Sequence, residues 1–370
     1  MLRAYMPGLV LAHDYLLVQR GAERTFAAMA DIWPKAPIVT LLYDEEGTGG
    51  RFAHRKISTS PLQRLGLTQR NFRMGLPLYA PAVRWLHTSH ADAILSSSSA
   101  FAHGIKKARG ATHVCYCHTP FRYAWQERDI ALSEVSAPLR PLLDAVLRRH
   151  RRFDGRAAGG VDRFIANSEL TRTRIRRYWG RDSTVVHPPV EVERFNPAEP
   201  GDHVLFVGEL VRHKRPEKAI EAALRAGRPM KIVGEGPQLG QLRSRYDGRV
   251  EFLGRVGDDA LARHYAEAAA LVVPGVEEFG IAMVEAQAAG RPVVAIDAGG
   301  ARETVVPGRT GLLVSNRGSS GLARALREDL TAFDSEHIRA HAQRFSRRVF
   351  QERIREIVQE TCGRPVEVPG

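Results

Sequence analysis

Two glutamates eight positions apart, Glu277 and Glu285, frame the most chemically informative run of this chain, Pro274-Gly275-Val276-Glu277-Glu278-Phe279-Gly280-Ile281-Ala282-Met283-Val284-Glu285. The run reads as the end of a buried strand, an acidic loop and a short helix. Gly290 closes that helix before a second buried strand. Glu277 falls in the loop beside the helix N-terminus, and Glu285 about one turn inside the helix. The amides of Phe279 and Gly280 lie between them, at the donor-rich positive end of the helix. Carboxylates accept from hydroxyls, and amides at a helix start hold anionic oxygen. The combination suits a nucleotide sugar held by both its ribose and its hexose. Lys214 follows the apolar run 204–207, where a cation at a strand end can neutralise a phosphate. His118 follows the buried run 112–116 and precedes Thr119-Pro120, so it is expected at the ligand-binding edge of a sheet.

These residues need a scaffold that brings strand ends together. In the C-terminal half, strands at 204–207, 231–233, 250–253, 270–273, 292–296 and 311–314 alternate with helices at 216–226, 239–246 and 258–268. Such alternation predicts parallel βαβ units in a doubly wound sheet. Ligands of these sheets bind beyond the carboxyl ends of the strands. Four glycine-bearing loops, 208–214, 234–237, 275–280 and 299–303, stand at such ends. The N-terminal half repeats the pattern, with strands near 9–13, 38–42, 93–96, 112–116 and 163–166. The Pro- and acid-rich segment 195–202 is the expected linker. A last helical pattern, 335–359, carries Phe345, Val349, Phe350, Ile354 and Ile357 at helical spacing. The fold class is therefore α/β, with two Rossmann-like domains at 1–196 and 197–345.

The whole strand–loop–helix–strand run, through Gly290-Arg291-Pro292-Val293-Val294, resembles the paired-glutamate motif of the retaining glycosyltransferases of family 4, which have the GT-B fold. The resemblance implies two domains facing a cleft: an acceptor-binding N-terminal domain and a nucleotide-sugar-binding C-terminal domain. A terminal helix, about 346–370, would pack back on the first. Glu285 would then bind the ribose and Glu277 the hexose hydroxyls, with Phe279, Gly280 and Ile281 orienting the sugar. Segment 206–215 is similar to the family's Gly-Arg-Leu-x-x-x-Lys loop, in which an arginine and a lysine neutralise the departing diphosphate. Lys214 matches the lysine. Glu209 stands where arginine is usual, and Arg212 or Arg215 is the available replacement.

Gly234 and Gly21 complete the implied donor-binding set. Gly21 belongs to Arg20-Gly21-Ala22-Glu23, which follows His13-Asp14-Tyr15 and is similar to the family's Gly-Gly-Ala-Glu turn, with Arg20 at the first glycine. Ser96 to Ser99, Phe101 and the run Cys115-Tyr116-Cys117-His118-Thr119-Pro120-Phe121-Arg122-Tyr123-Ala124-Trp125 look like those of bacterial O-antigen-type mannosyltransferases within the family. There the histidine lies near the donor sugar and the attacking oxygen. Phe121, Tyr123 and Trp125 either stack on an acceptor sugar or pack in the core. The implied reaction is retaining transfer of a hexose, best matched by mannose from GDP-mannose, to a glycan, lipid-linked or small-molecule hydroxyl. UDP-glucose and deoxyhexose donors stay open. So does a catalytically silent GT-B scaffold, for which Glu209 and Arg20 speak.

Composition sets the bounds. The 370 residues are 44% hydrophobic and 26% charged, which suits two globular α/β domains. No apolar run reaches the length of a spanning helix. The opening 1–17, with His13 and Asp14, reads as a buried strand and not a signal peptide. Cys115, Cys117 and Cys362 form no C-x-x-C pair, which predicts a reducing, cytoplasmic compartment. Net charge is +13: residues 1–196 hold 29 basic and 17 acidic side chains, against 25 and 24 in the remainder. Charge so placed either attracts anionic membrane, phosphorylated acceptors or nucleic acid, or is an ordinary solvated surface. Arg148, Arg149, Arg151 and Arg152, with Arg172, Arg174, Arg176 and Arg177, form basic clusters that suit peripheral contact with an anionic membrane. No nucleic-acid-binding signature accompanies them, so nucleic acid is not an expected partner. Neither an Asp-x-Asp triplet nor zinc spacing is present, so no cofactor and no obligatory metal is expected.

Overall fold

The computed structural model describes residues 8–363 apart from 87, 89, 316 and 317. The first residues of the opening segment and the 364–370 end of the expected terminal helix lie outside them. The chain forms two compact units. Residues up to 187, with those from 351 onward, make one, and 188–350 make the other.

The first unit is a parallel sheet of β1 (Leu9–Leu16), β2 (Ile38–Tyr43), β3 (Ile57–Thr59), β4 (Ala93–Ser98), β5 (Thr112–Cys117), β6 (Arg163–Ala166) and β7 (Ser183–Val185), in the order β3-β2-β1-β4-β5-β6-β7. The second is a parallel sheet of β8 (Val204–Val207), β9 (Met230–Val233), β10 (Glu251–Gly254), β11 (Ala270–Val273), β12 (Val293–Ile296) and β13 (Gly311–Val314), in the order β10-β9-β8-β11-β12-β13. Both orders reverse direction between the first and fourth strands, the switch point of a Rossmann sheet. The unforeseen strands, β3 and β7, are three-residue edge strands too short to show a period.

The continuous apolar runs follow from burial on both faces. In the second unit Val204, Phe206, Ile232, Val272 and Val294 face one core, while Leu205, Val233, Leu271, Val273 and Val293 face the other. This is the period of two made visible.

Two expectations are corrected. Phe195, placed at the start of the linker, is 1% exposed in the second unit's core and meets Tyr265 edge-on at 5.6 Å. Burying such a ring contributes roughly 1.5–3 kcal/mol, which ties this segment to the second unit. The long helix expected over 335–359 is two helices, Ser335–Ala342 and Arg347–Cys362, joined by a tight turn. The Val190 amide takes the Phe345 carbonyl at 2.9 Å. Ser346 is extended and forms a parallel bridge to Val190. A backbone group spent on Val190 cannot continue the helical ladder. Beyond the break, Gln351 donates to the Ala28 carbonyl at 2.8 Å and Arg163 pairs with Glu360 at 3.0 Å, so this helix packs on the first unit.

Candidate active site

In the second unit, four loops at the carboxyl edge of the sheet are locked by backbone approaches that only glycine permits. A Cβ on Gly234 (φ +143°) would sit 1.9 Å from the Gly208 carbonyl oxygen. One on Gly236 would meet Leu210, and one on Gly275 would meet Lys214 Cα at 2.9 Å. Gly299 (φ +60°) backs onto the Glu277 carbonyl, and the Gly300 amide donates to it at 2.8 Å. The loops after β8, β9, β11 and β12 therefore form one backbone-packed platform.

On that platform Lys214 Nζ donates to both carboxylate oxygens of Glu277, at 2.9 Å each. Their side chains are 26% and 18% exposed, so the pair is partly screened from water yet open to a ligand. Glu285 lies on the helix Ile281–Ala288 and is 9% exposed. It accepts from the Tyr265 hydroxyl at 2.8 Å and faces the Arg194 guanidinium at 3.9 Å. Arg194 in turn pairs with Asp258 at 2.9 Å. Burial, then the Glu285 charge, pushes the Tyr265 phenol well above its ordinary range, so it is a neutral donor.

The first unit carries a second constellation at its own switch point. Asp14, at the end of β1, accepts from the amides of Ser99, Ala100, Phe101 and Ala102 at 2.5–3.0 Å and pins the loop after β4. Burial pushes its pKa up, and the amide donors pull against that. His118 follows β5, with Nε2 2.8 Å from Ser97 Oγ. Ser97 is fully buried on β4, and its hydroxyl and carbonyl oxygens both lie 3.1 Å from His13 Nδ1. His13 stacks on Phe26 at 4.8 Å. The Thr171 hydroxyl fixes the His118 carbonyl at 3.1 Å.

Comparison with known proteins joins these two halves. The model of Glycosyltransferase Family 4 matches residues 20–194, and that of Glycosyl transferases group 1 matches 201–331. The chain belongs to glycosyltransferase family 4. Among its relatives, a D-inositol 3-phosphate glycosyltransferase of Streptomyces avermitilis is 32% identical over 204 residues, 45% of this chain and 44% of the relative. A GDP-mannose-dependent alpha-(1-6)-phosphatidylinositol monomannoside mannosyltransferase of Mycobacterium tuberculosis is 31% identical over 229 residues, 53% of this chain and 57% of the relative. The chain thus spans about half the length of the curated relatives it matches. Two solved structures share the fold along nearly the whole chain. Anabaena Alr3699/HepE in complex with UDP and glucose has a TM-score of 0.71 at 20% identity, covering 96% of this chain and all of that one. Sucrose-phosphate synthase of Thermosynechococcus elongatus has a TM-score of 0.72 at 17% identity, covering 95% and 98%. The fold is GT-B.

Within this family 4 chain the expected site residues divide. Lys214, Glu277, Gly234, Gly280 and the start of the helix at Ile281 meet on the second unit's platform. Gly280 has φ +90°, and a Cβ there would strike Met283. The Phe279 ring is 2% exposed and packs edge-on against Phe345 at 5.4 Å, so only its backbone can serve a ligand. Glu285 is more enclosed than its place in the helix suggested, because Tyr265 and Arg194 cover it. Neither partner carries a motif, and both come from distant segments. Arg212 and Arg215 line a separate cavity of about 300 Å³ with Gln238, Gln241 and Arg245. Arg215 has φ +53°, unusual for a side-chain-bearing residue. Glu209 is exposed.

In the first unit, Gly21 opens the helix Gly21–Ala30, where the Arg20 amide donates to Glu23 at 3.0 Å. Phe121 is buried against Phe101 and Tyr123. Trp125 stacks on Tyr178 at 4.5 Å and donates to the buried Asp154 at 2.6 Å. Phe121 is in the core, and Tyr123 and Trp125 pack against it half-buried.

Proposed function

We propose that the protein transfers a hexosyl group, with retention of configuration, from a nucleoside diphosphate sugar to a hydroxyl of a glycan, lipid-linked or small-molecule acceptor. The observation that carries this reading is the Lys214–Glu277 pair, held on glycine-packed loops at the switch point between β8 and β11. A donor diphosphate would draw Lys214 toward its leaving oxygen, and Glu277, released from the lysine, would accept from the hexose hydroxyls. The β-phosphate–C1 bond breaks as the acceptor oxygen bonds to C1 on the same face, and the acceptor proton passes to the departing phosphate. Preorganised charge at the leaving group is the main source of acceleration. Glu285, oriented by Tyr265, would bind the ribose. Leaving-group charge is met by Lys214 and backbone amides, without an obligatory metal.

GDP-mannose is the proposed donor. The run from His118 to Trp125 supports it, as does the name of the Mycobacterium tuberculosis relative. The complex of the Anabaena structure with UDP and glucose keeps UDP-glucose as the second reading. The acceptor side is proposed to meet an anionic membrane. Arg149, Arg152 and Arg156 line a cavity of about 770 Å³ with Arg84, Lys106 and Lys107, near the exposed Trp85. Among the described residues, no helix is long and apolar enough to cross a membrane.

The test is nucleoside diphosphate release from a panel of nucleotide sugars, with EDTA and with candidate acceptors present. GDP release from GDP-mannose, lost in Glu277→Ala and Lys214→Ala, supports the reading. UDP release instead replaces the donor, and absence of both release and calorimetric donor binding overturns it. Sedimentation with anionic, but not neutral, vesicles checks the membrane contact.

A further inference from the structure

The polar chain behind His118 dictates where its proton sits. The Ser97 carbonyl oxygen can only accept, so the His13 Nδ1 that faces it at 3.1 Å carries a hydrogen. The same hydrogen is shared with Ser97 Oγ, also 3.1 Å away. With its acceptor side so engaged, the Ser97 hydroxyl has its own hydrogen to place. On its other side lies His118 Nε2, at 2.8 Å. Ser97 is fully buried, so a hydroxyl hydrogen aimed elsewhere would forfeit a hydrogen bond at a cost of about 1–3 kcal/mol. Donation from Ser97 to Nε2 satisfies His13 Nδ1, the Ser97 hydroxyl and His118 Nε2 together. With Nε2 accepting, the hydrogen of the His118 imidazole sits on Nδ1.

Backbone register makes this arrangement rigid. His13 and Ser97 are direct partners across β1 and β4, and Ser97 and Tyr116 across β4 and β5. Burial, followed by the proximity of His118, lowers the His13 pKa to about 3, so His13 stays neutral and its single hydrogen stays on Nδ1. Direction therefore runs one way, from His13 through Ser97 to His118.

We infer that Ser97 and His13 are positioning residues that hold His118 as its Nδ1–H tautomer, so that Nε2 is committed to Ser97 and any hydrogen His118 contributes to the site comes from Nδ1. This rests on the glycosyltransferase reading for its catalytic consequence: Nε2, committed to Ser97, does not serve as a base in the transfer. The tautomer itself is independent of that reading.

The experiment is ¹⁵N-histidine NMR on the full chain, with His118→Gln to assign the signal. The expected spectrum shows a protonated Nδ1 and a bare Nε2 in the wild type. Ser97→Ala should shift His118 toward the Nε2–H form that free imidazole favours, and Ser97→Thr, which keeps the hydroxyl, should restore Nδ1–H. In donor turnover with GDP-mannose, Ser97→Ala should lower kcat about tenfold with KM little changed, and Ser97→Thr should recover most of it. A wild-type His118 protonated at Nε2, or a tautomer unmoved by Ser97→Ala, overturns the inference whether or not the protein turns over a donor. A Ser97-dependent tautomer in a protein without transferase activity keeps the relay and removes the function.

Discussion

The two units share a sheet order and a switch point but build their functional edges by opposite means. In the first unit the edge is made of buried side chains that satisfy one another: Asp14 on four amides, His13 on Ser97, Ser97 on His118. In the second, backbone approaches glycine, and the chemistry stands half-open on top as Lys214 and Glu277. Side-chain networks in a low-dielectric interior hold position firmly but cost several kcal/mol when one member is lost. A glycine platform leaves its charged groups free to exchange partners with a ligand. Removing a charged group should therefore cost the first unit mainly stability and the second unit mainly activity.

The sharpest test of that contrast is Lys214→Ala. Its expected effect is a 10²- to 10³-fold loss of kcat/KM in nucleoside diphosphate release, the scale for removing one transition-state donor. The melting temperature should stay nearly constant, because a partly exposed ion pair contributes little to folding. The mirror experiment is Asp14→Ala. Four amides, three of them in buried contacts, would lose their acceptor, which predicts destabilisation of about 3 kcal/mol or more in chemical denaturation. A soluble, fully stable Asp14→Ala protein would break the comparison.

Acidification should weaken the first unit. Burial lowers His13 and His113 to about 3 and His150 to about 4, whereas the unfolded side chain titrates near 6.5. The unfolded state binds more protons between those values, so stability is full above about pH 6.5 and falls as pH drops toward 4. The loss is roughly 2 kcal/mol at pH 5 for each imidazole held near 3. All four tryptophans, Trp33, Trp85, Trp125 and Trp179, belong to this unit, so denaturation followed by their fluorescence reports it. A midpoint unchanged between pH 7 and pH 5 would count against this account.

Glycine substitutions give the finest discrimination. Gly234→Ala forces a Cβ into the Gly208 carbonyl and should cost about 1–3 kcal/mol while displacing the Lys214 loop. Gly240→Ala meets nothing within 4 Å inside the helix Leu239–Tyr246 and should be neutral or stabilising by about 0.4–1 kcal/mol. Equal effects on melting and turnover would mean that the platform is not built from glycine contacts.

The strands of the second unit were legible because sheet burial on both faces writes long apolar runs into the chain, and glycines after strands 8, 9, 11 and 12 marked the loops. Lys214 and Glu277 were legible for the same reason, as charged residues at fixed offsets from those runs. Arg194 and Tyr265 were not, because neither offset nor period links them to Glu285; they meet it only when distant segments pack. The His118 tautomer was hidden likewise, since three strands must lie in register before Ser97 can stand between two histidines. The break at Ser346 followed from Val190 taking a carbonyl that local helical spacing assigned elsewhere. The sequence by itself determined which long apolar segments would be strands, where the candidate site residues would fall along them and which half would carry the charge, because those are properties of local pattern. Only the tertiary structure decided which side chains hold one another, which candidates are buried and which way a proton points, because hydrogen bonds between distant segments form only after the chain has packed.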